Sequence, residues 1–190
     1  MGRRLLIVAL LCATATNGLA GAQSAVAGIP AVPIEPITGI LEMFKTHDVV
    51  ALSEGNHGNE QGHAFRLSLI RDPRFAAAVN DIVVEFGNAH YQAVIDRFVQ
   101  GEPVAYDELR KVWQDTTQRG TLWDRPIYEE FYRAVRDVNA ALPVERRLRV
   151  LLGDPPRDWD APQRGGAPRT DDFPASVIQR EVMTKKRRAL

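Results

Sequence analysis

Three short apolar runs, Val49-Val50-Ala51-Leu52, Ile82-Val83-Val84 and Val150-Leu151-Leu152, constrain the fold of this 190-residue chain more than any other feature. Each is continuous rather than alternating, and each is rich in β-branched residues. Each is entered through a polar residue (Asp48, Asp81, Arg149) and left through a glycine-containing loop. A strand with one wet face alternates apolar and polar residues, whereas a continuous run of this length suits a strand buried on both faces, as in a parallel sheet. The stretches around 60–70, 73–79, 90–99, 105–114 and 125–142 read as helices; in the last, Ile127, Phe131, Ala134, Val135, Val138 and Leu142 line one side. Strands alternating with helices predict an α/β domain, a partial parallel sheet flanked by helices and joined by right-handed crossovers. Three strands make a thin sheet beside the usual five or six. Arg188-Ala189-Leu190 resembles Leu148-Arg149-Val150 at the entry to a strand, so the expectation is a domain lacking its C-terminal strands.

The N-terminus reads as an export signal. Met1-Gly2-Arg3-Arg4 is positively charged, Leu5 to about Ala15 is apolar but too short to span a bilayer, and Ala20-Gly21-Ala22 is a small-x-small cleavage site. The expected organisation is a signal peptide over 1–22, an extended proline-containing leader over 23–36, and the α/β domain over 37–190, secreted or periplasmic with no stable membrane anchor. A helix from Ile37 to about Lys45 opens the domain. Cys12 is the single cysteine and lies inside the signal, so the mature chain has neither a disulfide frame nor a thiolate nucleophile. Cleavage leaves 22 basic against 24 acidic side chains, which gives no electrostatic case for nucleic acid. The basic run Lys185-Lys186-Arg187-Arg188 reads as the positive end of a final helix that follows Pro174. Residues 153–172 form a Pro/Gly/Asp/Arg loop long enough to be a functional rim or lid.

Ligands of open α/β sheets collect beyond the carboxyl ends of the strands. The first run leads into Ser53-Glu54-Gly55-Asn56-His57-Gly58, the second into Glu85-Phe86-Gly87-Asn88-Ala89-His90, and the third into Gly153-Asp154. All three bring a carboxylate to one edge, and two bring a histidine. Adjacent strands lie about 4.8 Å apart, so Glu54 and Glu85 are expected to share a site. A histidine held by one of them has its tautomer fixed and suits proton abstraction from water. An isolated Glu-x-x-His is better read as bland, with Glu54 and Glu85 capping nearby helices and His57 facing solvent; the second carboxylate at the same edge turns the reading toward chemistry. Arg66, on the following helix, is placed to balance the paired glutamates. His63 reads as structural or exposed, His90 is open between packing and chemistry, and His47 falls at the wrong end of the first strand. No nucleophile elbow, phosphate loop or His-Glu-x-x-His zinc helix is present.

These residues together resemble the superfamily that unites erythromycin esterase-like hydrolases with ChaN-like haem-binding proteins. The resemblance rests on a strand ending in Ser53-Glu54-Gly55-Asn56-His57-Gly58, Arg66 nine residues after the histidine, Glu85 at the end of the second strand, and the helix from Tyr91 to Glu102. The stretch Leu109-Arg110-Lys111-Val112-Trp113 is equally similar to the ChaN-like branch, and the likeness covers about residues 45–155. The esterase-like branch implies His57 as general base, with Glu54, Glu85 and Arg66 in support, acting on a small-molecule ester or lactone without a cofactor. The ChaN-like branch implies haem or iron binding. A metal-dependent hydrolase using His57, Glu85 and His90 is a further alternative, and it would need a divalent metal. Members of the superfamily continue into another histidine-bearing strand, which makes an inactive truncated form the remaining expectation.

Overall fold

A computed structural model describes residues 32–118, 120, 122–162 and 172–190. The expected signal peptide, the leader up to 31, and 163–171 of the long loop lie outside the described residues. Glu35 opens the first helix, α1 (Pro36–Met43), by accepting hydrogen bonds from the amides of Ile37 and Thr38, with Pro36 preset for the first helical position. Asn59 does the same for α2 (Glu60–Arg71), accepting from Gly62 N at 2.9 Å. The short α3 (Phe75–Ala78) leads into β1 (Asp81–Asn88). A 3₁₀ turn (Ala89–Tyr91) feeds α4 (Gln92–Val99), followed by the single turns α5 (Tyr106–Leu109) and α6 (Lys111–Gln114) and the long α7 (Pro126–Ala140). The chain then returns through β2 (Arg149–Asp154) to α8 (Asp172–Val177), which runs on as a π-helical turn, Ile178–Met183.

The expected α/β architecture is the one the chain adopts. β1 and β2 pair in parallel, in register from Asp81↔Arg149 to Val84↔Leu152, as a helical crossover between them requires. The register then jumps to Asn88↔Asp154. Four residues of β1 therefore span two of β2, and the extra pair lies in Glu85–Gly87. Irregularities of this kind bend a strand and redirect its side chains. Gly87 belongs to the same stretch: a Cβ there would run into the Leu152 side chain.

Alternate residues of the strands face two apolar layers. Ile82, Val84, Phe86, Val150 and Leu152 face the larger layer with α2, α4 and α7, while Leu151 and Val83 join Val177, Val182 and Ala189 on the other side. The larger layer is built on aromatic contacts. Phe86 packs on Tyr128, Phe131 and Tyr132 with ring centroids 4.8, 5.2 and 5.7 Å away, and Trp113 stacks on Tyr132. Among the described residues no helix is long and apolar enough to cross a membrane.

The first expected strand departs from prediction. Val49 makes only an isolated parallel bridge to Ala189, and residues 50–54 form no ladder. The same Ala189 makes a parallel bridge to Asp81. The chain end therefore lies between the 49–54 segment and β1. These two are not adjacent strands, contrary to the spacing argument that placed Glu54 beside Glu85. The composition of 49–52 suits a strand, but a ladder needs a neighbour along its length, and among the described residues the segment is bridged only at Val49, by Ala189.

Candidate functional site

Glu54, His57, Arg66 and Tyr128 form one bonded cluster where the 49–54 segment turns into α2. Gly55 and Gly58 take φ of 73° and 77°, a region open mainly to glycine, and so fold the loop back on itself. The turn brings His57 Nδ1 to 3.0 Å from Glu54 Oε2. Arg66, almost two turns into α2, donates from Nη2 to Glu54 Oε1 at 3.2 Å, and the Tyr128 hydroxyl on α7 donates to the same oxygen at 3.3 Å. That hydroxyl accepts from Gly58 N at 2.9 Å, which ties the loop to α7. The His57 ring meets Trp123 edge-on with centroids 4.5 Å apart, and Arg66 lies over the Phe86 ring.

Burial decides the roles. The Glu54 side chain is only 12 % exposed, whereas that of His57 is 34 % exposed. Burial is the largest single influence on the Glu54 carboxyl and works against ionisation. The hydrogen bond from His57 and the charge of Arg66 outweigh it, and the group is held below its ordinary range. An ionised Glu54 only accepts, so His57 donates through Nδ1–H, which in the neutral ring leaves the lone pair on Nε2. His57 Nε2 has no hydrogen-bond partner among the described residues. Tyr128 is pushed up to about 12, first by burial and then by the negative charge of Glu54, so it remains a neutral donor.

Glu85 stands apart from this cluster. It is exposed, accepts a long hydrogen bond from Gln118 at 3.5 Å, and its charge helps raise the carboxyl of Asp154, a group raised chiefly by burial. Asp154 itself accepts from the backbone and hydroxyl of Thr117. Glu54, Arg66 and Glu85 nonetheless line one cavity of about 260 Å³, with the open edges of β1 and the 49–54 segment as its walls. Two of the three expected supporting residues, Glu54 and Arg66, are therefore bonded into the histidine site. The third shares only the cavity.

The other histidines lie elsewhere. His63 is buried with Nε2 3.2 Å from Glu130 Oε2, and burial lowers its pKa against the opposing pull of that glutamate. His90 is exposed and packs edge-on against Tyr91, and His47 bonds Thr46 and Met43 after the end of α1. Asn88, fully buried at the end of β1, was not singled out from the sequence. Its Nδ2 donates to the carbonyls of Asp115 and Arg157, and its Oδ1 accepts from His90 N and Arg157 N. Among the described residues no three His, Cys, Asp or Glu side chains gather as a metal site would require. The donor set His57, Glu85 and His90 thus does not fit a metal ion in this arrangement. Comparison with protein-family models, curated proteins and solved structures found no match for this chain.

Proposed function

We propose that this chain is an exported hydrolase-like domain in which His57 activates water for attack on a small ester or lactone. The 3.0 Å contact between Glu54 Oε2 and His57 Nδ1 carries the reading. It leaves an acceptor nitrogen on a part-exposed ring, held by a buried carboxylate, which is the arrangement general-base catalysis needs. In the proposed step His57 Nε2 takes a proton from water as the oxygen bonds to the acyl carbon. The tetrahedral adduct then expels the alcohol oxygen, which recovers the proton from the imidazolium. Glu54 stabilises that imidazolium, Arg66 and Tyr128 hold Glu54 in place, and Glu85 supplies negative charge at the rim of the neighbouring cavity. The likeness of Ser53–Gly58, Arg66 and Glu85 to the erythromycin esterase-like and ChaN-like superfamily supports the same reading.

The test is hydrolysis of a panel of p-nitrophenyl esters and lactones by the native chain and by His57→Ala. General-base catalysis contributes about 10²–10⁴-fold, so kcat should fall by at least about 10². Unchanged turnover would remove His57 from the mechanism, and an inert native chain would reject the hydrolase reading.

A further inference from the structure

We infer that Arg125 is the specificity residue of the His57 site, and that the ester it selects carries a carboxylate on its acyl chain. The inference rests on the hydrolase reading for the reaction, and on a separate observation for the ligand: a guanidinium is seated on the histidine loop with no anion of the protein to hold. Arg125 directly precedes Pro126 at the start of α7 and is extended, with φ −129° and ψ 145°, as a residue before proline prefers. Two positions earlier, Trp123 is buried with its ring edge-on to His57. Three positions later, Tyr128 donates to Glu54 and accepts from Gly58 N. The 123–128 stretch is thus laid along the histidine loop, and Arg125 falls between its two anchoring contacts.

Gly58 supplies the seat. A Cβ on Gly58 would run into Cδ, Cζ and Nη1 of Arg125, so the end of the arginine stem and its guanidinium lie over the bare Cα of the glycine. Arg125 is nevertheless exposed, and its side chain forms no ion pair or hydrogen bond among the described residues. The carboxylates around it are committed elsewhere. Glu54 accepts from His57, Arg66 and Tyr128, Asp124 accepts from Gln114, and Glu129 pairs with Arg133. A seated guanidinium presents its N–H donors in a fixed fork that matches a planar carboxylate, and it loses less freedom on binding than a loose side chain.

Position decides which part of the substrate meets it. Gly58 follows His57 directly, and consecutive Cα atoms lie about 3.8 Å apart. The reacting acyl carbon belongs at His57 Nε2, so a cation seated one residue along meets a group farther out on the acyl chain. Arg66, the cation on the other side of Glu54, is already bonded to that glutamate. A neutral acyl chain leaves the Arg125 guanidinium in water and gains nothing from it. A terminal carboxylate forms charge-assisted hydrogen bonds there, and binding energy from a non-reacting part of the substrate then favours that ester. The substrate class is half-esters of dicarboxylic acids.

Mono-p-nitrophenyl adipate and p-nitrophenyl hexanoate, which differ by the terminal carboxylate, test the inference on the full chain. The native chain should favour the adipate ester by about tenfold or more in kcat/KM. Arg125→Met keeps an unbranched stem over Gly58 and should bring that ratio to about one by raising KM for the adipate ester, while Arg125→Lys should restore part of it. Titration with adipate, followed by NMR of the arginine Nε–H groups, reads the same contact without turnover. Arg125→Met should weaken adipate binding about tenfold or more, and the neutral diamide of adipic acid should not bind. Adipate binding that depends on Arg125, with neither ester hydrolysed, would reject the hydrolase reading and leave the carboxylate site standing. No preference between the esters, or adipate binding indifferent to Arg125→Met, would overturn the inference. So would an equal fall in kcat for both esters in Arg125→Met, which would place Arg125 at the acyl oxygen they share.

Discussion

Asp81 offers the sharpest test of how the sheet is held together. It is fully buried at the start of β1, and two arginines from distant parts of the chain meet it side-on. Arg149 donates to its two oxygens at 2.7 and 3.1 Å, and Arg187 at 2.7 and 2.9 Å. One carboxylate thus joins β1, β2 and the terminal segment. At about 4 Å and an effective dielectric constant near 20, each pair attracts by about 4 kcal/mol. Desolvating the buried carboxylate offsets several kcal/mol of that sum. Asp81→Asn keeps the volume but points an amide nitrogen at guanidinium donors. Removing one member of a buried pair costs about 3–5 kcal/mol. Both arginine side chains are 31 % exposed and recover some hydration, so the expected loss lies near the lower end, about 3 kcal/mol. For a chain of this length that lowers Tm by about 6–12 °C. Urea unfolding followed by far-UV circular dichroism gives the free energy. Hydrogen exchange should quicken first at Ala189 and Leu190, whose amides pair beside the clamp. A loss below about 1 kcal/mol, the range of a surface ion pair, would refute the reasoning. Unchanged exchange at those two amides would refute it equally.

Two further outcomes follow from the displaced titrations. Glu54→Gln should cost about 2 kcal/mol of stability at neutral pH, the scale of hydrogen bonds to a charged group. Because the folded pKa of Glu54 lies below its ordinary value of 4.5, that advantage is present above 4.5 and is lost as pH falls through the folded value. Unfolding curves of native and variant chains should therefore converge in acid, and a difference constant with pH would contradict the assignment. All four tyrosines have pKa values raised above 10, with Tyr91 and Tyr128 pushed up to about 12, Tyr91 first by burial and then by the charge of Asp115. Absorbance at the phenolate band should show less than half of the tyrosine ionised at pH 10, and stability should fall as pH rises from 10 toward 12. Full ionisation at pH 10 in the folded chain would contradict the packing around them.

The helices were legible because their apolar positions repeat with the helical period. Ile127, Phe131, Ala134 and Val135 of α7 are buried as that spacing requires, and so are Val94, Ile95 and Phe98 of α4. The central apolar residues of β1 and β2 were legible as continuous β-branched runs, but the ends were not. Glu85 and Gly87 break the apolar run, and only the ladder to β2 carries β1 on to Asn88. Val49–Leu52 shows the limit in the other direction. Its residues favour a strand, yet pairing depends on a neighbour brought from the far end of the chain. The same non-local logic separates the site residues. Glu54, His57 and Arg66 lie within one turn and one helix, so their grouping follows from local spacing. Tyr128 reaches Glu54 across 74 positions, and in the sequence it is one more aromatic on a buried helix face. Trp123 and the Asp81 clamp were hidden for that reason too.

Nitrogen-15 NMR of the His57 ring, at a pH where the ring is neutral, tests the proposed chemistry at its root. A shift pattern with hydrogen on Nδ1 and a lone pair on Nε2, which loses that preference in Glu54→Gln, is the result expected from the 3.0 Å contact. Hydrogen on Nε2, or a tautomer balance indifferent to Glu54, would mean that the carboxylate does not prepare His57 to accept a proton.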